Sequence, residues 1–256
     1  MGVKVDINSD LGESFGAWSM GDDRGVLASV SSANVACGYH AGDPSIMRET
    51  VELCASRGVA IGAHVSYPDL IGFGRRNMAC SPQEVYDYCL YQIGALNAFC
   101  RAEGVELQHI KPHGALYNQA AGDRKLADAI AAAVKNSGDG LILMGLALSE
   151  FAPAARAAGV RFAAEAFADR AYLKDGSLMP RSRDGSVIHD AASAARRVVQ
   201  MVTKGTVAAD GGSEIQIRPG SICLHGDTKE AVGMAAAVRR ALEEAGVEIR
   251  PLKETA

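Results

Sequence analysis

Six short clusters of ionisable residues, five of which contain Gly, stand out in the sequence, and each follows or ends a short apolar run. The clusters are DINSDLGE (6–13), NVACGYHAGD (34–43), IGAHVSYPD (61–69), HIKPHGALYN (109–118), EAFADRAY (165–172) and ICLHGD (222–227). Carboxylate, imidazole, ammonium and guanidinium groups of this kind can bind a charged small molecule, activate water and transfer protons. A shared location for the six clusters would therefore indicate an enzyme.

The first cluster supplies several oxygen atoms that could bind a ligand. Asp6, Asn8 and Asp10 alternate along the chain, so on a strand their side chains would point to the same side. Glu13 follows them. A single polar residue could simply cap the turn into the next segment, but three on one side exceed what a cap needs. We therefore expect Asp10 to be catalytic and Asn8 and Glu13 to bind the substrate.

Two histidines follow the next two apolar runs. Together with Asp10, His40 and His64 could hold a divalent metal ion that activates water. These residues lack the short spacing of an H-E-x-x-H motif, so this metal site depends on the fold, and a structural role in hydrogen bonding is the alternative. We expect His64 to be catalytic and His40 to contact the substrate, and a metal ion bound by Asp10, His40 and His64 stays an open possibility.

A basic pair lies in the fourth cluster. Lys111 and His113 are separated by Pro112, which restricts the backbone, and Gly114 allows the chain to approach a ligand closely. Burying an ammonium group at a strand end is costly unless a carboxylate or phosphate group accompanies it. We therefore expect Lys111 and His113 to be catalytic.

The fifth cluster and one loop offer further charged groups. Asp169 could act as a general base, while Glu165 and Arg170 could bind a substrate, with the guanidinium group pairing with a carboxylate. An internal ion pair between Arg170 and either carboxylate is the alternative. Arg75, in the loop GFGRR (72–76), could bind an anion or could belong to a solvated loop.

The last cluster contains a histidine in a position similar to those of His64 and His113. His225 follows the final apolar run, and we expect it to be catalytic in the same pocket. Asp227 instead begins a D-x-x-E capping box, so we assign it to the start of a helix.

Seven short apolar runs alternate with helical patterns and must position these groups. The runs are residues 3–7, 33–37, 59–65, 107–110, 141–146, 160–164 and 221–224. Continuous apolar runs that alternate with helices predict an α/β fold with a parallel sheet covered on both faces. We expect one domain, 1–256, in which seven strands form a (β/α) barrel; an open doubly wound sheet is the alternative. In both folds the carboxyl ends of the strands meet at one edge, so the clusters would share one pocket.

Capping signals place four of the helices. The helical patterns span residues 43–58, 81–104, 123–138 and 227–246. Ser81 and Glu84 have the spacing of a capping box, with Pro82 at the first helical position. The polar stretch 173–186, which is interrupted by Gly and Pro, predicts a long loop near the pocket and a possible lid.

The composition excludes several partners. The formal net charge is -4, and no run of Lys and Arg approaches the about five to eight residues typical of nucleic-acid or lipid binding, so we expect no nucleic acid and no membrane surface as a partner. No run of about 18 apolar residues is present to span a membrane. The six cysteines include no C-x-x-C pair, which favours reduced, mostly buried thiols and a cytoplasmic location.

Several common catalytic motifs are absent. The sequence has no G-x-x-x-x-G-K followed by Ser or Thr, no G-x-S-x-G, no G-x-G-x-x-G and no H-E-x-x-H. A phosphate loop of the usual type, a serine hydrolase and a dinucleotide enzyme are therefore disfavoured.

The six clusters, in this order, resemble the family formed by the A subunits of ATP-hydrolysing 5-oxoprolinase, also called the lactam-utilisation family. The resemblance extends over DINSDLGESFG, ANVACGYHAGDP, GAHVSYPDLIGFGRR, HIKPHGALYN, EAFADRAY with LMPRS, and ICLHGD, and so covers nearly the whole chain. It implies a distorted seven-stranded barrel like that of polysaccharide deacetylases. It also implies hydrolysis of 5-oxo-L-proline (pyroglutamate) to L-glutamate at the expense of ATP, together with two further subunits, B and C.

Combining this resemblance with the residues gives a working scheme. ATP would bind wholly or partly in the partner subunits, and this chain would bind the lactam or its phosphorylated form. Lys111 and an arginine would bind anionic groups, Asp10 or Asp169 would position water, and one histidine would transfer protons.

Two other functions are compatible with the same residues. One is a metal-dependent amidase or deacetylase that uses Asp10, His40 and His64 without ATP. The other is a binding subunit that only holds the lactam for subunits B and C. The metal, the nucleotide site, the general base and the oligomeric state are left open by the sequence.

Overall fold

The computed structural model describes residues 2–224 and 231–255 of the chain. The strands are β1 Lys4–Leu11, β2 Ser32–Ala36, β3 Ala60–Val65, β4 Leu107–Pro112, β5 Ile142–Leu146, β6 Arg161–Phe167, β7 Thr206–Ala208, β8 Glu214–Gln216, β9 Ser221–Leu224 and β10 Glu248–Ile249. The helices are α1 Asp23–Val26, α2 Pro44–Arg57, α3 Pro82–Ala102, α4 Gly114–Gly122, α5 Arg124–Ser137, α6 Phe151–Ala158, α7 Ala191–Lys204 and α8 Ala231–Glu244, followed by a 3-10 turn at Leu252–Glu254.

Within these described ranges, seven parallel strands close into a barrel. The order around it is β1, β2, β3, β4, β5, β6 and β9, and β9 pairs again with β1. All seven predicted apolar runs are strands of this barrel, which confirms the predicted barrel over the open sheet. Strand β10 lies beside the start of β1, where Lys4 pairs with Glu248, directly before the stretch of β1 that pairs with β9.

The predicted helix signals are present where the structure describes them. Asp43 accepts hydrogen bonds from the first turn of α2, which ends at Gly58 in the left-handed conformation. Ser81 and Glu84 form both bonds of the capping box that begins α3. The start of the fourth predicted helix, including Asp227, lies outside the described residues.

Alternation along the strands gives the barrel a polar interior and an apolar exterior. Asn8 of β1 hydrogen-bonds across the barrel to Glu165 of β6, so the residues on this face of β1 point inward. Val5 and Ile7, which are fully buried, point the other way and belong to the large apolar core. This division explains why each strand read as an apolar run that ended in ionisable residues.

One close approach requires a glycine in β3. A Cβ atom on Gly62 would lie 2.1 Å from Nε2 of His109, which extends across it inside the barrel. The register of β3 and β4 shifts between Ile61 and Gly62. Gly62 therefore makes room for an imidazole ring that a larger residue would displace.

The sequence patterns missed several elements. Helix α4 begins at Gly114 and α6 begins at Phe151, and the N-cap residues before them, His113 and Glu150, make no side-chain capping bond, so neither helix has a start signal in the sequence. The hairpin of β7 and β8 and the strand β10 are only two or three residues long. Elements this short depend on tertiary contacts rather than on local pattern.

Two further expectations can be compared with the structure. All six cysteines lie in the described part of the chain as free thiols, and five of them are buried, as predicted. Among the described residues, no helix combines the length and the apolar character needed to cross a membrane.

Candidate active site

A cavity of about 610 Å³ opens at the carboxyl-terminal end of the barrel. Its lining comes from strands β1, β3, β4, β5 and β6, from helix α4 and from the loops that follow β1, β3 and β6. The ionisable residues of the lining are Asp10, Glu13, His64, Arg75, Lys111, His113, Tyr117, Arg170 and Arg181. Seven of these nine were predicted site residues, and they come from the first, third, fourth and fifth clusters and from the loop 72–76.

A buried ammonium group lies at the centre of the inner end of this cavity. Nζ of Lys111 donates to Asp10 Oδ1 at 2.9 Å and to Asn8 Oδ1 at 3.2 Å, and lies 2.9 Å from Glu165 Oε1. Its fourth neighbour is Sγ of Cys223, at 3.2 Å. We call Lys111, Asp10, Asn8, Glu165 and Cys223 the lysine cluster. Five positions from β1, β4, β6 and β9 thus meet inside the barrel.

The lysine cluster is balanced by charge and hydrogen bonds. Burial alone would lower the pKa of Lys111, but its neighbours, with Asp10 the most important, raise that pKa well above its usual value. Tyr117 donates to Glu165 Oε2 at 2.7 Å, and Asn34 donates to Asp10 Oδ1 at 2.8 Å. The ammonium group therefore stays charged, and both carboxylates have additional donors.

The hydrogen-bond network continues into the barrel below the lysine cluster. Asn34 also donates to Asn8, and its own carbonyl oxygen accepts from Nε2 of His109 at 2.7 Å. Farther in, Asp6 accepts hydrogen bonds from Ser32 and Ser221. Burial raises the pKa of Asp6 to about 6. The strand residues below the cavity thus form a polar support for Asp10 and Lys111.

Three imidazole rings and a carboxylate form a second group beside the first. Nδ1 of His113 lies 2.9 Å from Nε2 of His64, and Nε2 of His40 lies 3.2 Å from Oε1 of Glu13. The rings of His40 and His113 stack at 3.8 Å with 6° between their planes. One ligand atom from each of the four residues lies within 4.8 Å of every other. We call Glu13, His40, His64 and His113 the imidazole cluster.

The loop after β3 closes over the imidazole cluster. The carbonyl oxygen of Phe73 accepts a hydrogen bond from Nε2 of His113 at 2.9 Å, and the Phe73 ring packs edge-on against His40 and His113. Phe73 adopts a φ of 53°, which is rare for a residue with a side chain. The strained backbone here turns a carbonyl group toward the histidine, and such strain is often found at functional sites.

Two buried rings of this cluster, those of His40 and His113, are held in the neutral form. Burial, followed by the neighbouring His64, lowers the pKa of His40 well below its usual value. Burial, followed by His40 and His64, does the same to the pKa of His113. Neutral imidazole has a lone pair on one ring nitrogen, which is the form that binds a metal ion.

Arginine side chains form the outer part of the cavity. Arg170 donates to the carbonyl oxygens of Met179 and Ser186 and so holds the loop 173–186 against the barrel. Burial, followed by the charge of Arg181, lowers the pKa of Arg170 to about 10. Arg75 lies over the ring of Phe73 at 5.0 Å. The guanidinium groups of Arg170 and Arg181 are close enough to repel each other, which favours an anion between these two groups.

The loop 173–186 lies at the cavity, as its sequence predicted. Residues 177–181 contribute to the lining, and the loop contains turns rather than a helix or a regular strand. Whether it moves as a lid stays a prediction.

Some predicted residues lie behind the lining or away from it. Asn8, His40 and Glu165 are buried and contact side chains that line the cavity. Asp169 is also buried but is not among the described lining residues, and its carbonyl oxygen accepts from Ile188. His225, which we expect to be catalytic, lies outside the described residues.

The grouping of the metal candidates differs from the sequence expectation. His40 and His64 do lie together, but the residues that complete the group are Glu13 and His113. Asp10 belongs to the lysine cluster instead, and its Oδ2 atom lies 3.3 Å from Nε2 of His64. The reason is that Asp10 points across the barrel toward β4, whereas Glu13 follows the end of β1 and reaches the loops.

Sequence reasoning missed four contributors to the site. Asn34 lies on β2 opposite Asp10 in the strand register, and its inward position follows from alternation once that register is known. Tyr117 lies in α4, a helix without a predicted start. Cys223 and Arg181 were present in quoted motifs, ICLHGD and LMPRS, but nothing in their spacing indicates what they contact.

Comparisons with known proteins agree with this architecture. A profile of the LamB/YcsF family matches residues 5–256. The A subunit of 5-oxoprolinase from Bacillus subtilis is 51% identical over 251 residues, which is 98% of each chain. The protein of the same name from Thermus thermophilus is 54% identical over 248 residues, 97% of this chain and 99% of its own.

A solved structure is similar to the whole barrel. The lactam utilization protein from Thermus thermophilus has a TM-score of 0.92 to this structure at 53% sequence identity. The superposition covers 96% of this chain and 99% of that protein. The family profile matches residues 5–256 by sequence, and this range includes all six ionisable clusters.

Proposed function

The chain belongs to the LamB/YcsF family, and we therefore propose that it acts as the A subunit of a 5-oxoprolinase. In this reaction the ring of 5-oxo-L-proline is opened to L-glutamate while ATP is hydrolysed to ADP and phosphate. The observation that carries the proposal is the match, over nearly the full length of both chains, to relatives that have this name. The site supports it, since carboxylates and cations converge on one cavity.

The chemistry of the substrate explains why ATP would be needed. A five-membered lactam is a resonance-stabilised amide, so water attacks its carbonyl carbon slowly. Transfer of a phosphoryl group from ATP to the carbonyl oxygen would make that carbon more electrophilic. Attack by one water molecule and cleavage of the C–N bond, with a proton passing to the ring nitrogen, would give γ-glutamyl phosphate, which a second water molecule would hydrolyse to glutamate and phosphate. We propose that the nucleotide binds wholly or partly in subunits B and C, because this sequence has no phosphate loop of the usual type.

The size and charge of the cavity support binding of the lactam or its phosphorylated form. A volume of about 610 Å³ lies within the range of sites for small molecules and exceeds what one five-membered ring would fill. We assign Arg75, Arg170 and Arg181 to anionic groups of the ligand. The carboxylate of 5-oxoproline and a transferred phosphoryl group are both suited to guanidinium donors.

We assign the positioning of water to Asp10 rather than to Asp169. Asp10 lines the cavity, and 11% of its side chain is exposed. Hydrogen bonds from Lys111 and Asn34 fix the Asp10 carboxylate in one orientation. A carboxylate in this position could accept a proton as water attacks the carbonyl carbon.

Lys111 has a different role in this proposal from the one that the sequence suggested. Its ammonium group already contacts Asn8, Asp10, Glu165 and Cys223, so we assign it to the support of Asp10 and leave anion binding to the arginines. Proton transfer by His64, His113 or His225 stays a prediction.

Reconstitution tests the proposed function. We expect glutamate release from 5-oxoproline when this chain, subunits B and C, ATP and Mg²⁺ are combined, and we expect a loss of release when any protein or ATP is omitted. Calorimetry of the isolated chain should show no tight ATP binding. Release that does not depend on this chain would contradict the proposal, and tight ATP binding by this chain alone would contradict the assignment of the nucleotide to its partners.

The other two functions give different results in the same assay. The names of the relatives favour a 5-oxoprolinase over an amidase that works without ATP. Release of glutamate by this chain without ATP or partners would identify such an amidase. A binding subunit without catalytic groups would be identified if substitution of Asp10 left turnover unchanged.

A further inference from the structure

The hydrogen bonds of the imidazole cluster determine which ring nitrogens have protons. Nδ1 of His64 lies 3.1 Å from the carbonyl oxygen of Lys111, and Nε2 of His113 lies 2.9 Å from that of Phe73. A carbonyl oxygen only accepts hydrogen bonds, so each of these nitrogens must donate. In neutral rings, the opposite nitrogens, His64 Nε2 and His113 Nδ1, therefore have lone pairs.

These two lone pairs face each other at 2.9 Å. The neighbourhood adds more acceptors: Oδ2 of Asp10 lies 3.3 Å from His64 Nε2, and Oε1 of Glu13 lies 3.8 Å from His113 Nδ1. Four electron-rich atoms thus surround one small volume. A single shared proton could form a hydrogen bond between only two of these atoms, whereas a metal ion could bind several of these atoms at once.

We propose that the imidazole cluster binds one divalent transition-metal ion, for which Zn²⁺ is the natural probe. The ligands would be Glu13, His40, His64 and His113, a set of three imidazole nitrogens and one carboxylate oxygen that zinc prefers. This proposal does not depend on the 5-oxoprolinase activity.

The separations of the ligand atoms fit a metal ion. Zinc bonds of about 2.0–2.2 Å in a tetrahedral arrangement place ligand atoms roughly 3.3–3.6 Å apart. The separations of 2.9, 3.2 and 3.8 Å within the cluster lie on both sides of that value, and all four ligand atoms lie within 4.8 Å of one another. Small movements of the side chains would complete the geometry.

The outer hydrogen bonds also match those of metal ligands. A histidine that binds a metal usually donates its other ring N–H to a carbonyl or carboxylate group, which fixes the ring. His64 and His113 both donate in this way. His40 is fixed instead by stacking on His113, since its Nδ1 atom is buried without a hydrogen-bond partner among the described residues.

The position of the cluster suggests what the ion would supply. Glu13, His64 and His113 line the cavity, so a bound ion would be accessible to a ligand there. A divalent ion in this place could polarise a carbonyl oxygen or lower the pKa of a water molecule.

Zinc binding by the purified full-length chain tests the proposal. After treatment with a chelator, we expect one equivalent of Zn²⁺ to bind in competition with a chromophoric chelator and to raise the unfolding temperature. Co²⁺ in the same site should give the strong visible absorption of a tetrahedral complex. A folded chain that binds no Zn²⁺ at micromolar concentration and gives no such absorption would overturn the proposal, and the cluster would then be joined by a shared proton.

Single substitutions locate the ion. Loss of the hydrogen-bond partner of a metal ligand typically weakens metal binding roughly 10–100-fold. Because His64→Gln and His113→Gln each remove a ligand itself, we expect them to weaken Zn²⁺ binding by at least as much. His189→Gln, which changes an exposed histidine elsewhere, is the matched control and should bind like the wild type. Equal affinity in all four proteins would overturn the assignment. Should a ligand variant fail to fold, the Co²⁺ absorption of the wild-type chain decides the question.

Discussion

The lysine cluster and the imidazole cluster lie side by side at the carboxyl end of the barrel, yet their interactions differ. In the lysine cluster, a buried ammonium group contacts two carboxylates and an amide oxygen. In the imidazole cluster, the nitrogens that have lone pairs in neutral rings lie 2.9 Å from each other, and that of His64 lies 3.3 Å from a carboxylate oxygen of Asp10. Asp10 touches both clusters, through Oδ1 to Lys111 and through Oδ2 to His64.

This difference separates what a buried polar group does for the fold from what it does for a ligand. Buried polar groups are nearly always satisfied, because an unsatisfied one costs free energy. The lysine cluster is satisfied by its own residues, so we assign it to support. In the imidazole cluster, acceptor atoms face one another, so we assign it to binding. The predictions below test this division.

The largest effect is expected from Lys111→Met, which leaves Asp10 and Glu165 buried without their cation. Removing one partner of a buried ion pair usually costs about 3–5 kcal/mol in the free energy of unfolding. We expect a loss of this size in denaturant unfolding of the isolated chain. Lys253→Met, which breaks the exposed pair with Glu106, is the control and should leave the free energy of unfolding nearly unchanged. Similar losses in the two variants would contradict a supporting role for the lysine cluster.

The next largest effect is expected in the pH dependence of the free energy of unfolding. Two buried groups below the lysine cluster, His109 and Asp6, contribute to it. Burial, followed by Lys111 and His64, lowers the pKa of His109 to about 3. The unfolded chain protonates this ring below about pH 6.5, so its contribution to stability is complete above that pH and is lost as the pH falls toward 3. The raised pKa of Asp6, about 6, acts in the opposite direction: stability increases as the pH falls from 6 to about 4.

Single variants separate these opposing contributions. Each can change the free energy of unfolding by up to about 1.4 kcal/mol per pH unit. We expect His109→Gln to flatten the loss of stability between pH 6.5 and 4.5, and Asp6→Asn to make it steeper. Urea unfolding at several pH values measures both slopes. Slopes equal to that of the wild type would show that these buried groups titrate in the folded chain as they do in the unfolded one.

A smaller effect is expected at the outer part of the cavity. Arg181→Gln removes a cation from the lining, and we expect KM for 5-oxoproline in the reconstituted complex to rise about tenfold, which is about 1.4 kcal/mol. The free energy of unfolding should change by less than about 0.5 kcal/mol. Arg183→Gln, in the same loop but paired with Asp210 on the surface, is the control. An unchanged KM in the Arg181 variant would remove this arginine from ligand binding.

The strands and the inward-facing residues could be predicted from sequence because their signals are local. A period of two placed Asp6, Asn8 and Asp10 on one side of β1, and the structure has them all directed into the barrel. The same period places His109 and Lys111 together on β4. Apolar runs followed by Gly and polar residues marked where the strands end.

The partners of these residues could not be predicted, because they depend on closure of the barrel. Lys111 contacts Cys223, which is 112 positions away, only because β9 pairs with β1 and β6. The choice of Glu13 over Asp10 for the imidazole cluster depends on the course of the loops after β1 and β3. The φ of Phe73 that directs its carbonyl group to His113 has no signal in the sequence either.

The most direct test of the account uses Asp10, the residue that joins the two clusters. Asp10→Asn keeps an oxygen for Lys111 and removes the carboxylate, so the fold, assembly with subunits B and C and 5-oxoproline binding should persist. Glutamate release by the reconstituted complex should fall at least about 100-fold, the lower end of what a general base contributes. Asp128→Asn, at an exposed pair with Arg124, should release glutamate at the wild-type rate. Release by the Asp10 variant within twofold of wild type would contradict the account.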